Sequence, residues 1–240
     1  MSDIEPEALS RSLVLVTDYR VPDPSRVWPL LERQRDALAH LGARHVLVYT
    51  SAVDPGRVLA VLAIRAEQPV VDILRDRAFM QWFDDVGVDD IPAVFAGSLV
   101  ERIAVGDPDP DLAEPPGSCG GPGFPSPPPA RGPTPASVAE PPEAVVAAVA
   151  EVTDAATLIA HVHATAHDFA AAGIRKVLVF QAFDNPREVF MLQETTEEVA
   201  EGRAGAWISQ PAFSDDWITR AGVGVYPPVF VGHLAHLMRI

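Results

Sequence analysis

The sequence predicts an α+β protein made of two βαββαβ repeats, packed sheet to sheet as one pseudo-two-fold barrel of eight strands with four helices outside. Three observations predict this. Residues 13–99 and 144–234 carry the same pattern in the same order. A run crowded with proline separates them. A βαββαβ unit keeps both helices on one face of its sheet, so its other face needs cover, and a second copy in the same chain supplies it.

The internal match is explicit. Arg44-His45-Val46-Leu47-Val48-Tyr49 returns as Arg175-Lys176-Val177-Leu178-Val179-Phe180. Pro55 and Val58 return as Pro186 and Val189. Trp82, Gly87, Val88, Pro92, Phe95, Gly97 and Leu99 return as Trp217, Gly222, Val223, Pro227, Phe230, Gly232 and Leu234. The boundaries follow: a first repeat over 11–106, a linker over 107–143 and a second repeat over 144–240. The linker holds 13 of the 24 prolines, which lack an amide donor and disfavour helix in the preceding residue.

Each element has a local reason. Leu13–Val21 is apolar and β-branched, hence a strand. Asp23 reads as an N-cap with Pro24 at the first helical position. Val27, Leu31, Leu38 and Leu41 then keep helical spacing to about His40, and Gly42 suits a left-handed stop. His45–Ser51 and Val58–Ile64 form a hairpin about Asp54-Pro55-Gly56. A second helix covers 69–84 and a last strand 93–103. The second repeat follows step by step: strand Ala144–Val152, N-cap Asp154, helix Thr157–Ala171 ended by Gly173, and hairpin strands Lys176–Ala182 and Glu188–Gln193. A helical region over 196–219, broken by Gly202, Gly205 and Pro211, precedes the strand Val229–Met238.

Composition excludes several function classes. A formal net charge of −15 argues against nucleic acid, whose phosphates need clustered Lys and Arg. The single cysteine, Cys119, excludes an internal disulfide or a cysteine-based zinc cluster. Lys176 is the one lysine among the fixed cations, which with abundant Ala, Val and Pro reflects a high-GC codon bias. The acidic start Met1-Ser2-Asp3-Ile4-Glu5 is no signal peptide, and no stretch approaches the ~18 uncharged apolar residues of a membrane span. A cytoplasmic protein is expected, a monomeric pseudo-dimer or a higher oligomer of it, with no membrane or nucleic-acid partner.

The βαββαβ order, the strand Val189–Glu194 and the stretch Phe213-Ser214-Asp215-Asp216-Trp217 resemble the dimeric α+β barrel superfamily, in its antibiotic-biosynthesis-monooxygenase branch. The resemblance implies two ferredoxin-like repeats forming an intramolecular dimeric α+β barrel. It also implies a small-molecule enzyme or binder. The closest activity is a cofactor-independent monooxygenase acting on an aromatic or polyketide-like substrate. In that branch a strand ending in Glu precedes a helix carrying a His. Here Glu194 and Trp217 have no His between them, so no cofactor is expected, with haem as the alternative. Length and duplication also match the chlorite dismutase-like branch, whose sequence blocks are missing.

The repeat acts as an internal control on candidate residues. His163 and His167 share a helical face at metal-ligand spacing. They align with Glu32 and Asp36, ordinary solvent positions, and no third ligand is evident, so no metal site is expected. His161 aligns with Leu30 at the edge of the buried face. His233 and His236, three apart on the last strand, are expected on opposite faces. Residues unmatched between halves point to a site in the second one: Phe183, Trp207, Tyr226, Glu194 and His233. An oxygenase needs an apolar cavity and a base. His233, Glu194 and Tyr226 are the catalytic candidates. Phe183, Trp207 and Trp217 are the ligand contacts, for a small apolar or aromatic ligand. The alternative for Glu194 is a solvated strand end, and for His233 a surface or satisfied histidine. A non-catalytic scaffold or partner-binding pseudo-dimer, using the acidic surface or the proline-rich run, is the alternative function.

Overall fold

A computed structural model describes residues 13–65, 69–88, 92, 94–105, 141–196, 202, 205–225 and 227–240. Its strands are β1 Leu13–Arg20, β2 Ala43–Ser51, β3 Arg57–Ile64, β4 Val94–Ala104, β5 Ala144–Glu151, β6 Lys176–Ala182, β7 Glu188–Thr195 and β8 Phe230–Arg239. They close a barrel in the order β1-β3-β2-β8-β5-β7-β6-β4. All pairings are antiparallel, and the two repeats meet at the β2–β8 and β4–β6 seams. The expected α+β barrel of two repeats is what forms. The linker expected over 107–143 lies, apart from 141–143, outside the described residues.

The helices cover the outside. They are α1 Val27–Arg33, α2 Arg35–His40, α3 Val70–Leu74, α4 Arg77–Val86, α5 Ala155–Ala164, α6 Ala166–Ala171, α7 Gly205–Ile208 and α8 Pro211–Thr219. Each expected helical region is thus split in two. The first splits at Gln34 (φ −92°, ψ 8°) and its counterpart at Thr165 (φ −108°, ψ 15°), the same place in both repeats. Both expected N-caps act. Asp23 accepts the Ser25 amide at 3.1 Å and Asp154 the Thr157 amide at 2.7 Å. Bonds from the Ser25 hydroxyl and amide, and from the Thr157 amide and hydroxyl, hold these two carboxyls below the usual range. The helix-stop glycines Gly42 and Gly173 take φ of 82° and 86°, a region that favours glycine.

Strand alternation sorts side chains into three cores. Val16, Tyr49, Phe95, Phe180, Phe190 and Phe230 fill the lumen. Leu15, Val46, Ala60 and their neighbours face the helices of the first repeat, and Val146, Val177 and Met191 those of the second. Each repeat also gives the lumen one ion pair, at opposite ends of the barrel. Arg57 Nε donates to Asp18 Oδ1 at 2.8 Å. It reaches across the mouth to the Val229 carbonyl at 2.9 Å, its guanidinium 5.4 Å from the Phe230 ring centroid. At the other end Lys176 Nζ donates to Glu194 Oε2 at 2.7 Å. The counterparts of these pairs are Val149 and Glu188, and His45 and Ala63.

The seams explain the repeated Phe-x-Gly. A Cβ at Gly97 would lie 2.2 Å from the Gln181 carbonyl oxygen and 2.7 Å from the Phe95 ring. One at Gly232 would lie 2.2 Å from the Thr50 oxygen and 2.6 Å from the Phe230 ring. At both seams the lumen ring lies back over the glycine two residues on, where the neighbouring backbone leaves no room. Further along each seam one residue is extra. Tyr49 and Val48 pair with Leu234 and His236, skipping Ala235. Phe180 and Val179 pair with Leu99 and Glu101, skipping Val100. These bulges shift the alternation by one.

Two outcomes test this reading. Gly97→Ala or Gly232→Ala is expected to cost about 3 kcal/mol or more in urea unfolding. Gly202→Ala, with nothing within 4 Å of the new methyl, is expected to be near neutral. Glu188 sits at the Asp18–Arg57 mouth, its carboxyl raised by burial and then by Asp184 and Glu151. A carboxyl whose folded pKa is raised favours folding least when ionised, so its contribution worsens as pH climbs through the carboxylate range. Glu188→Gln should therefore stabilise slightly at pH 7, damped by solvent screening, and the gain should fade as pH falls to about 3 and Glu188 takes up its proton. Paired unfolding curves at the two pH values check this.

Candidate functional site

With the lumen filled, space for a ligand lies outside it, between sheet and helices. Two crevices of about 30 Å³ each occupy matching places in the two repeats. That volume takes one or two waters. Thr17, Leu31, Ala60, Leu62, Trp82 and Phe83 are among the residues lining the first. The second lies beneath α5, α7 and α8, with Ala148, Met191 and Gln193 on the sheet side and Leu158, Phe213 and Trp217 on the helix side. The halves differ where it matters. Ala148 and Ala150 stand where the first repeat has Thr17 and Tyr19, and Gln193 stands where it has Leu62. The second crevice therefore has a flatter floor, and its polar lining residue is Gln193, where Thr17 and Gln34 line the first.

Its helix-side wall is a continuous aromatic stack. Phe213 lies 5.3 Å from Trp217 and 4.4 Å from Trp207, ring centroid to centroid. Phe169 backs both tryptophans at 5.0 and 6.2 Å. Such offset and edge contacts are the favourable aromatic geometries. His161 meets Trp217 edge-on at 6.1 Å, and its Nε2 lies 2.9 Å from Asp216 Oδ2. Asp216 also holds Arg220 Nε at 3.1 Å. His161 is buried, so this pair ties α5 to α8 and fixes the tryptophan between them. The first repeat has Leu30 and Gln81 at these positions.

Gln193 is the polar group on the floor. It is 5% exposed, and its Oε1 has no hydrogen-bond partner among the described residues. Its cross-strand neighbours are Val146 and Val177, both fully buried.

The residues singled out from sequence fall in different places. Trp217 lines the crevice, and Trp207 stacks on its wall through Phe213. Tyr226 lies outside the described residues, next to Pro227, which lines the crevice. Glu194 is turned the other way, because it follows Gln193 in an alternating strand. It closes the lumen with Lys176, and burial followed by its charge pushes the Tyr49 hydroxyl pKa up. Phe183 is 46% exposed at the β6–β7 turn and does not line the crevice. His233 is on the outer face at the β2–β8 seam, paired in register with Thr50 and Ala144, with both ring nitrogens shielded from solvent. His236 was expected on the opposite face from His233. The Ala235 bulge corrects this and puts both outside, where His236 stacks on Trp28 at 4.5 Å and 12°. Burial there lowers the His236 pKa, and Glu32 opposes the shift. His163 and His167 are exposed, as expected. Among the described residues no cluster of three or more His, Cys, Asp or Glu is placed to hold a metal, and no helix is long and apolar enough to cross a membrane.

Gln193 and the His161–Asp216 pair were not picked out from sequence. The Leu62/Gln193 mismatch was visible there, and so was Leu30/His161. What the repeat could not supply was that Asp216 faces His161, since that depends on how two helices meet.

No protein-family model and no curated protein matches this chain in sequence. Solved structures do match its fold. An anthrone oxidase-like protein is 13% identical with a TM-score of 0.59, covering 97% of this chain and 94% of that one. A proposed monooxygenase of Fusobacterium nucleatum is 10% identical with a TM-score of 0.51, covering 96% and 95%. Another from Lactobacillus acidophilus is 12% identical with a TM-score of 0.50, covering 95% and 96%. At these identities the likeness is one of fold, and it spans both repeats. The chain has the fold of a dimeric α+β barrel, with its two halves written in tandem.

If the His161–Asp216 pair anchors α8, His161→Leu should lower stability by about 1–2 kcal/mol. It should also raise amide exchange selectively across 211–219, leaving the barrel strands protected. Hydrogen-exchange mass spectrometry checks it; uniform protection would show that packing alone holds the helix.

Proposed function

We propose that this chain is a small-molecule enzyme or binder that takes a flat, apolar or aromatic ligand in the second-repeat crevice. The observation that carries this is the asymmetry of the two crevices. A floor reduced to Ala148 and Ala150 faces a wall of Trp217 and Phe213, and a buried amide oxygen stands between them. Apolar walls with one convergent polar group are what small-molecule sites present. We read the chemistry as oxygenation without a cofactor, a reading that the fold-level likeness to an anthrone oxidase-like protein and a monooxygenase supports by analogy. An activated ring methylene would give a carbonyl with dioxygen as oxidant, CH₂ + O₂ → C=O + H₂O. No described residue lining the crevice is a base. The substrate must then ionise itself, or take a base from Tyr226 or from His233 at the adjoining seam.

The crevice volume of about 30 Å³ favours a second reading, a scaffold whose site has closed. One experiment separates them. The purified protein, first checked for a colourless spectrum that excludes haem and flavin, is mixed with a hydroxylated anthrone in air. The oxygenase reading expects one dioxygen consumed per quinone formed, none under nitrogen, and loss of at least ten-fold in rate for Trp217→Ala. Neither turnover nor binding would leave the scaffold.

A further inference from the structure

We propose that Gln193 selects the ligand of the second-repeat crevice, accepting a hydrogen bond from a hydroxyl on an otherwise apolar, planar molecule; this rests on the crevice reading above. Three observations meet at this residue. Its side chain lines the crevice, among Met191, Leu158 and Trp217. It is 5% exposed, and Oε1 has no partner among the described residues. Its neighbours along both adjoining strands, Val146 and Val177, are fully buried hydrocarbons, so the sheet supplies no side-chain donor.

A buried acceptor left without a partner is uncommon because desolvation penalises it. The matching position, Leu62, shows that the fold does not need an amide here. Without a ligand the crevice has room for one or two waters, and a water is the natural donor to Oε1. A ligand that displaces this water keeps its affinity if it brings an O–H to the same place, and loses it if it does not. The wall and floor fix the rest of the ligand. Aromatic rings on one side and alanines on the other suit the two faces of a flat ring system; the crevice of about 30 Å³ holds only one or two waters, so binding one requires the wall to give against the His161–Asp216 tie. An ether of the same shape brings no donor, so Oε1 would stay unpaired.

The test uses two probes that differ in one donor, 2-naphthol and 2-methoxynaphthalene, titrated into the full chain by naphthalene fluorescence. Wild type is expected to bind the naphthol about ten-fold or more tightly than the ether. Gln193→Leu and Gln193→Met are expected to bind both probes alike, with the ether's affinity unchanged and a melting temperature equal to or above that of wild type. Equal binding of the two probes by wild type would overturn the role of Gln193 and leave the crevice standing. So would preference for the ether, a preference surviving in both variants, or a lowered melting temperature in both. Failure of wild type to bind either probe would overturn the crevice reading and this inference with it.

Discussion

The structure depends on closing two seams. In a βαββαβ sheet the outer strands are the second and fourth, here β2 and β4 in one repeat and β6 and β8 in the other. Each leaves unpaired amides and carbonyls along its edge. Pairing β2 with β8 and β4 with β6 satisfies all four edges at once and buries both helix-free faces in one lumen. Neither repeat can do this alone. The seams also dictate the most conspicuous repeated residues. The lumen phenylalanines Phe95 and Phe230 lie over Gly97 and Gly232 because the partner strand's carbonyl comes within 2.2 Å of where a Cβ would be.

Closure has a consequence for function. A lumen packed with Phe95, Phe180, Phe190, Phe230 and Tyr49, and bounded by an ion pair at either end, is a core. The lumen leaves no room for a ligand, and the paired crevices lie on the outer face under the helices. On that face the repeats differ at Thr17/Ala148, Tyr19/Ala150 and Leu62/Gln193. The lumen pairs Asp18–Arg57 and Lys176–Glu194 show divergence of a different kind. Each repeat carries one pair and has other residues at the counterpart of its partner's, so the two together hold both ends. Arg57 goes further by reaching the Val229 carbonyl, tying the first repeat to the entry of β8.

Much of this was legible in the sequence, and the rest was not for identifiable reasons. The repeat gave the barrel, because matched apolar patterns with a proline-rich spacer leave few other ways to bury two sheet faces. Asp23, Asp154, Gly42 and Gly173 were readable as caps and stops because those roles are local. His236 was misplaced because alternation counts residues, and a bulge at Ala235 adds one; nothing in Leu234-Ala235-His236 announces it. Glu194 drew attention as an acid unmatched in the first repeat. Its neighbour Gln193, one residue away and facing the helices, was the unmatched residue in the crevice. A one-residue difference in a strand is a change of face, and only the register settles it. His161 aligned with a leucine and so was readable as near the core, whereas its partner Asp216 came from a helix whose approach no local pattern encodes.

The two polar departures in the second repeat argue against drift as their cause. His161 and Gln193 both replace leucines, and both are buried, where a polar group without a partner costs about 1–3 kcal/mol. His161 found its partner in Asp216 and so repaid its burial by fixing α8. Gln193 Oε1 has no such partner among the described residues. A chain that can place leucine at the same position in its other half has a simple way to remove that cost, and it has not been taken. Ala148 and Ala150 point the same way, since they give up packing that Thr17 and Tyr19 supply in the first repeat. A smaller floor and an acceptor with no partner among the described residues, side by side under an aromatic wall, are what the proposed ligand site would require, its stability completed by what binds there.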